Sequence, residues 1–235
     1  MRDSTSSSLP QALISRSALA AAAAEGVSAG GRIADLRRDA WGHGLVGVAL
    51  AVTAAGAAAV LVDSQAEVEE LALEGIQGVS DGTVDVDPTV LYGLPDAEGA
   101  LRTRPVMRLA GRVLSTKPLK AGDAVSYGYT HRAVADTTAA LVTGGYAQGI
   151  VRALGNAAQV EVRGALRPII GRVAMDVCVV DVGQDSDAEV GDEVTYFGGS
   201  GPAGPNLARW SRVTGLTVGE LITVAGAHAV RGWEA

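Results

Sequence analysis

The sequence is poor in the side chains that most often carry covalent or metal chemistry. Its 235 residues include one cysteine, Cys178, two lysines, Lys117 and Lys120, and three histidines. A single cysteine excludes a disulfide framework, and three widely spaced histidines argue against a zinc centre. The formal charge of −7 argues against a protein that binds a nucleic-acid backbone, which needs a basic face. The scarcity of lysine matters most, because lysine is the side chain that forms imines with carbonyl compounds.

Long uncharged runs are also rare. The exception is 44–62, which is long enough for a membrane helix. Much of it is weakly apolar alanine, so we interpret it as a helix, Leu45–Ala55, followed by a strand, Ala57–Val62. Arg16 interrupts the one apolar stretch near the start that could serve as a signal core. We therefore expect a soluble, cytoplasmic protein that binds neither a membrane nor nucleic acid.

The hydrophobic content of 48% and the charged content of 19% are typical of a folded protein with a sizeable core. The polar start, 1–8, is rich in Ser and Thr and is predicted to be disordered. From 9 to 102, strand and helix patterns alternate, which favours βα units around a parallel sheet, with Thr89–Tyr92 as one short strand. From 103 to 235, short β-rich runs separated by turns predict an all-β domain.

Five segments carry recognisable motifs. One is Leu36–Gly44, and four lie in the second domain: Ala121–Gly128, Gly145–Gly149 with Arg152 after it, Pro168–Asp176 and Val190–Val194. In their order and spacing, the four segments of the second domain resemble the C-terminal β-domain of one known family, the alanine racemases, which use pyridoxal phosphate to interconvert L- and D-alanine. Leu36–Gly44 is similar to the end of that family's first barrel strand and the loop after it. The resemblance implies an α/β fragment of incomplete TIM-barrel units joined to a C-terminal domain of alanine racemase type.

The first motif departs from the family at the residue that carries its chemistry. Arg37 stands where the family has the lysine that forms the Schiff base with the cofactor. A guanidinium stays protonated at ordinary pH and cannot form that imine. Trp41 replaces a tyrosine on the phosphate side of the cofactor. Ala227–Arg231 resembles a Tyr-Arg-Val-Pro-Arg segment and lacks its tyrosine. We therefore expect no cofactor, or pyridoxal phosphate if the family activity survives.

The first domain is also too short for a whole barrel. A barrel has eight strand–helix units, and about two and a half fit between Leu9 and Leu101. The missing stretch would hold the arginine that pairs with the pyridine nitrogen of the cofactor. Since three parallel strands leave open edges and apolar faces, we predict association, either as a homo-oligomer such as a dimer or with a full-length alanine racemase.

Other positions retain the residues that the family donates across its dimer. Tyr127 matches the second catalytic base, here vestigial, and Tyr146, Arg172, Met175 and Asp176 match residues of the substrate entrance or carboxylate pocket. In the resembled dimer these residues reach into the partner's barrel, where the ligand is a small amino acid. Three of them have a structural alternative: Tyr127 as a tyrosine satisfied within its strand, Met175 as a methionine that fills the core, and Asp176 as an aspartate bonded to a neighbouring turn.

Three functional hypotheses follow from the resemblance. The chain is a degenerate racemase, an interaction subunit that completes or regulates a full-length alanine racemase, or an active alanine racemase of unusual design. Arg37 is correspondingly either an ion-paired surface residue or part of an anion site. We also expect His43 to cap the helix that follows it, and Cys178 to be a buried, unreactive thiol.

Overall fold

The computed structural model describes residues 9–96, 98–126 and 128–235. The first half of the chain alternates strands with helices: β1 (Gln11–Ser15), α1 (Arg16–Ser28), β2 (Ile33–Asp35), α2 (Arg37–Trp41), α3 (Leu45–Ala54), β3 (Ala59–Leu61), α4 (Gln65–Leu73), β4 (Gly78–Val79) and α5 (Pro88–Leu91). β2, β3 and β4 form a parallel three-stranded sheet. Local capping explains where its helices begin: Ser64 and Glu67 form a reciprocal capping box at the start of α4.

The free edge of β2 is covered by the chain itself. The backbone N–H groups of Asp85 and Val86 both donate to the carbonyl oxygen of Ile33, at 3.1 Å. In return, the Asp85 carboxylate accepts from the N–H groups of Arg32 and Ile33, at 2.6 Å each. One of the sheet edges that we expected to need a partner is therefore paired internally.

The predicted strand Thr89–Tyr92 is wrong, because this segment forms the short helix α5. The Asp87 side chain accepts a hydrogen bond from the Thr89 N–H at 2.9 Å, and Pro88 occupies the first helical position. Both are helix-start signals. They outweigh the strand preference of the apolar run that follows.

The second half consists mainly of β-structure: β5 (Met107–Leu119), β6 (Ala124–Val125), β7 (His131–Arg132), β8 (Thr137–Thr143), β9 (Gln159–Val162), β10 (Ala165–Ile170), β11 (Val177–Asp181) and β12 (Glu193–Phe197), followed by α6 (Asn206–Thr214), α7 (Val218–His228) and β13 (Val230–Glu234). The larger sheet runs β12-β9-β10-β11-β8-β5-β1-β13, and β12 also pairs with β5. That extra pairing closes six of the strands into a barrel, with β1 and β13 extending from β5.

The strand β1 belongs to this larger sheet, although we placed it in the 9–102 segment. Its residues pair antiparallel with β5 and parallel with β13, so that Gln11 lies opposite both Ala110 and Val230. The alternating burial along β1 fits a strand with one buried face. The first and last of these strands therefore meet in one sheet. The larger of two hydrophobic clusters spans the α/β and β parts.

Buried aromatic and thiol groups mark the centre of the β-domain. Trp210 packs edge-on against Tyr196 and Phe197, with ring centroids 6.3 and 5.3 Å apart. Cys178 lies 3.3 Å from the Tyr196 hydroxyl, and its burial raises the pKa of the thiol to about 11. The thiol is buried, as expected. Within the described ranges, no helix is both long enough and apolar enough to span a membrane.

Candidate functional site

An open cleft of about 780 Å³ lies where the carboxyl ends of β2 and β3 face α7 and the loop after β8. Its walls include three of the residues singled out from the sequence, Arg37, Trp41 and Tyr146. Arg172, Met175 and Asp176 do not line it. Tyr127 lies outside the described residues.

The segment α2 is a left-handed turn rather than a right-handed helix, and it positions the residues that follow β2. Arg38, Asp39, Ala40 and Trp41 all have φ between 53° and 55°, a conformation that costs a residue other than glycine about 1–2 kcal/mol. Asp39 holds the turn, because its carboxylate accepts the Leu45 N–H at 2.7 Å and pairs with the Arg231 guanidinium. Strain concentrated in one segment and held by surrounding contacts is typical of a site that must present its side chains in one orientation.

Arg37 is tied to the carboxylate at the end of its own strand. Its Nε and Nη2 donate to Oδ1 and Oδ2 of Asp35 at 2.9 and 2.7 Å, and its backbone N–H donates to Oδ1 at 3.1 Å. Burial tends to raise the pKa of Asp35, but the hydrogen bonds and charge of Arg37 hold that pKa below its usual value. The hydrogen bonds to Asp35 likewise raise the pKa of Arg37. The side chain at position 37 is therefore a fully charged guanidinium in a bidentate ion pair.

Trp41 rests on an aromatic stack that sequence reasoning missed. The Tyr92 ring lies 5.3 Å from the Trp41 ring and 4.5 Å from the His43 ring, and its hydroxyl donates to the Asp35 carbonyl oxygen at 2.7 Å. The available signal was a tyrosine inside an apolar run, which needs a buried partner for its hydroxyl. Gly219 of α7 packs so closely on Trp41 that a Cβ there would lie 2.8 Å from the indole.

His43 is fully buried and does not cap α3, contrary to our expectation. Gly44 occupies the cap position, and the Asp39 carboxylate satisfies the first free N–H group of the helix. The His43 Nδ1 lies 3.0 and 3.1 Å from the carbonyl oxygens of Ala40 and Trp41, so this nitrogen carries the proton. Nε2 has no hydrogen-bond partner among the residues that the structure describes, and burial lowers the pKa of His43 to about 4.

Tyr146 forms the opposite rim of the cleft. The Arg152 guanidinium lies 4.8 Å from the centre of its ring, at cation–π distance. The turn that carries Tyr146 is fixed by Gln148, which accepts from the Gly145 N–H and donates to the Asp176 carboxylate, both at 2.9 Å. Asp176 thus bonds a neighbouring turn, which was one of the two alternatives for it.

Two other residues that the resemblance singled out, Met175 and Arg172, lie on the surface outside the cleft. Met175 is 55% exposed, so the alternative in which it fills the core is wrong. Arg172 is also exposed, and its backbone carbonyl accepts a hydrogen bond from the Ser126 hydroxyl at 2.7 Å. Neither lysine lines the cleft: Lys117 lies on β5, and Lys120 pairs with Asp136 at 2.8 Å.

The second half of the chain matches a known family. Residues 106–232 match "Alanine racemase, C-terminal domain". A 134-residue stretch is 39% identical to alanine racemase from Mycolicibacterium vanbaalenii and covers 57% of this chain and 34% of that protein. A 179-residue stretch is 36% identical to the enzyme from Frankia casuarinae and covers 75% of this chain and 44% of that protein. These matches span between about a third and a half of the length of the relatives.

Solved structures show the same fold. Alanine racemase from a D-cycloserine-producing Streptomyces lavendulae superposes with a TM-score of 0.83 and 22% identity, covering 97% of each chain. Alanine racemase from Streptomyces coelicolor superposes with a TM-score of 0.81 and 21% identity, covering 98% of this chain and 99% of that one. At these identities the likeness concerns the fold alone.

Proposed function

The chain belongs to the alanine racemase family, and we propose that it is a degenerate member that does not racemise amino acids through pyridoxal phosphate on its own. The observation that carries this proposal is the bidentate pair between Arg37 and Asp35. A guanidinium cannot form an imine with an aldehyde at neutral pH. Its pairing with Asp35 stabilises the charged form further.

The residues of the cleft do not fit covalently bound pyridoxal phosphate. The family's cofactor requires a primary amine, and neither lysine of the chain lines the cleft. On the phosphate side, Trp41 offers no hydroxyl and its ring is stacked on Tyr92. Tyr127, the family's second base, would then have no imine-bound substrate to act on.

Borohydride trapping tests this proposal. The purified chain is incubated with pyridoxal phosphate, reduced, digested and mapped, and alanine racemisation is assayed in parallel with an intact alanine racemase as positive control. We expect no racemisation and no specific adduct. Racemisation, or a stoichiometric reduced adduct on Lys117 or Lys120, would overturn the proposal.

The variant Arg37→Lys serves as a matched comparison because it restores an amine at the same position. An adduct at residue 37 in this variant would locate the defect in that one side chain. Its absence would indicate that the rest of the cofactor cradle is lost as well. Both results are compatible with the proposal, which rests on the unmodified chain.

A second candidate function is an interaction subunit for a full-length alanine racemase. It is favoured by exposed apolar side chains beside the cleft, with Met175, Val224 and Tyr146 exposed by 55%, 46% and 38%. Large apolar groups clustered at a surface often mark an interface. Co-purification of the chain with an intact racemase would support this candidate. Met175→Glu should weaken the association, and Val134→Glu, at a remote exposed position, should leave it unchanged. Failure of the unmodified chain to bind would refute it.

The same exposed residues suit a homo-oligomer. Sedimentation of the chain at micromolar concentration distinguishes the two assemblies. A stable, well-folded monomer would contradict obligate self-association. The edge of β2 is already hydrogen-bonded within the chain, so this edge does not require a second copy.

A further inference from the structure

We propose that a second cleft binds a small zwitterion, with a primary ammonium group and a carboxylate, at a site unrelated to the one described above. This polar cleft has a volume of about 530 Å³ and lies where β12 meets the junction between β1 and α1. The proposal does not depend on the proposed function, because the polar cleft shares no lining residue with the cleft that holds Arg37.

One wall of the polar cleft is a strand face that carries an unused hydroxyl. Val194 and Tyr196 of β12 are buried in the hydrophobic core. The alternation of the strand therefore turns Glu193 and Thr195 to the outer face, where both line the polar cleft. Thr195 is only 8% exposed, and its hydroxyl has no hydrogen bond to any residue that the structure describes. Side-chain hydroxyls buried to this extent usually have a partner, so a bound ligand is the missing partner that fits this position.

The same wall holds a carboxylate without a cationic partner. Glu161 of β9 lies directly opposite Thr195, and cross-strand neighbours share a face of the sheet. Within the described ranges, the carboxylate of Glu161 accepts one hydrogen bond, from the Ala203 N–H at 3.1 Å, and it forms no ion pair. Gly201 approaches this carboxylate so closely that a Cβ would lie 2.3 Å from Oε2. Arg163, in an adjoining pocket, is already paired with two aspartates, so it does not neutralise this carboxylate.

A guanidinium without an acidic partner lines the same cleft. Arg104 is exposed, and its contact with the Ser17 hydroxyl, at 3.5 Å, is the one hydrogen bond of its side chain among the described residues. The other arginine of the polar cleft, Arg108, donates to both Glu193 and Glu234. The charge of Arg108 is therefore shared between two carboxylates, whereas Arg104 has donors to spare.

The balance of charge favours a ligand that brings an ammonium group. The charged side chains that line the polar cleft are Glu161, Glu193, Glu234, Arg104 and Arg108, which leaves one net negative charge at neutral pH. The backbone oxygen of Ala235, which also lines it, accepts the Ser15 hydroxyl at 3.1 Å. An anion without a positive group would therefore meet more repulsion than attraction.

The chemistry of the unpaired groups defines the ligand class. An ammonium group has three N–H donors and no acceptor, which complements the Glu161 carboxylate and the Thr195 hydroxyl. A carboxylate on the same ligand complements Arg104, because hydrogen bonds between a guanidinium and a carboxylate are charge-assisted. The volume is in the usual range for a small-molecule site. Free amino acids and amino acids with a longer spacing between the two charges belong to this class.

Calorimetric titration with matched probes tests the proposal. The probes are two zwitterions of different length, 4-aminobutanoate and 6-aminohexanoate, and two compounds that each lack one charge, 6-amino-1-hexanol and 6-hydroxyhexanoate. We expect at least one zwitterion to bind saturably, one per chain, and both single-charge probes to bind roughly tenfold more weakly. No binding of either zwitterion, or equally tight binding of either single-charge probe, would overturn the proposal.

Variants of the ammonium-binding wall locate the site. Glu161→Gln should weaken binding of the zwitterion roughly tenfold, and Glu69→Gln, at an exposed position on α4, should leave it unchanged. Thr195→Val removes a hydroxyl that has no hydrogen bond in the free protein, so it should weaken binding without lowering the unfolding midpoint. Unchanged affinity in either Glu161→Gln or Thr195→Val would refute the assignment of this wall.

Arg104→Gln tests the carboxylate-binding end separately. It should weaken binding of 6-aminohexanoate roughly tenfold and leave the weaker binding of 6-amino-1-hexanol unchanged, because only the first probe carries a carboxylate. Equal losses for the two probes, or no loss for either, would show that Arg104 does not bind the carboxylate and would overturn the proposal.

Discussion

The buried histidine makes a quantitative prediction about acid stability. Burial lowers the pKa of His43 from 6.5 to about 4, because a protonated ring would have to lose its water inside the stack with Tyr92. In the unfolded chain the ring has its ordinary pKa. Between these two values the unfolded state binds a proton that the folded state does not, so stability falls as the pH falls from 6.5 towards 4.

The magnitude follows from the two pKa values. The full shift corresponds to about 3 kcal/mol, and about 2 kcal/mol of that is lost between roughly pH 7 and pH 5. The pairing of Asp35 with Arg37 also contributes stability that is lost in acid, since the pKa of Asp35 is lowered by folding. The contribution of His43 must therefore be isolated by comparison with a variant.

His43→Asn is the suitable variant, because its amide can still donate to the carbonyl oxygens near Nδ1 and does not titrate. Urea unfolding of both proteins between about pH 7 and pH 5 gives the two stability profiles. We expect the variant to be less stable at neutral pH and to lose about 2 kcal/mol less than the unmodified chain over this range. His228→Asn, at an exposed position on α7, controls for removal of a histidine. Parallel profiles for the unmodified chain and His43→Asn would refute the reasoning.

Three further predictions concern the same region and are measured by thermal or urea unfolding. Arg38→Gly should raise the free energy of unfolding by about 0.5–1 kcal/mol, because it removes one left-handed non-glycine residue. Gly42→Ala should lower it, since a Cβ there would lie 2.8 Å from the α7 backbone. A loss of stability in Arg38→Gly would show that the left-handed turn is not strained at this residue. Tyr92→Phe should lower the free energy of unfolding by about 1–2 kcal/mol, because the buried Asp35 carbonyl oxygen loses its hydrogen-bond donor. An unchanged unfolding midpoint would show that water replaces the hydroxyl. Arg37→Gln should lower the free energy of unfolding by about 1–3 kcal/mol near neutral pH, because it leaves the buried Asp35 carboxylate without its charged partner. The loss should be smaller in acid, where the carboxylate is protonated. A loss of the same size at every pH would count against the ion pair.

The proposed function treats position 37 as a catalytic position of the family whose chemistry has changed. The end of β2 is followed by a left-handed turn and a buried histidine, which fix the backbone that presents residue 37. The side chain presented there is a guanidinium held by Asp35. Imine chemistry is not within reach of such a group.

Features that depend on residue type and local order were readable from the sequence. The family resemblance rests on contiguous motifs, and the proposal that the imine-forming amine is lost rests on the identity of residue 37 and on the presence of only two lysines. The α/β segment followed by a β-domain was predictable for the same reason, since hydrophobic periodicity and turn residues act over short distances. The boundaries were less secure where two local signals competed, as in Thr89–Tyr92, where a helix cap outweighed strand preference.

Features that depend on packing between distant segments were decided only by the tertiary structure. β1 pairs with β13 across more than two hundred residues, and Tyr92, which follows α5, stacks on Trp41 and donates to the Asp35 carbonyl oxygen. The cleft exists because Arg37 and Tyr146 approach from different halves of the chain. The low pKa of His43 arises from burial, which no local pattern specifies. Such contacts depend on which apolar faces cover one another, and that choice is made by the whole chain when it folds.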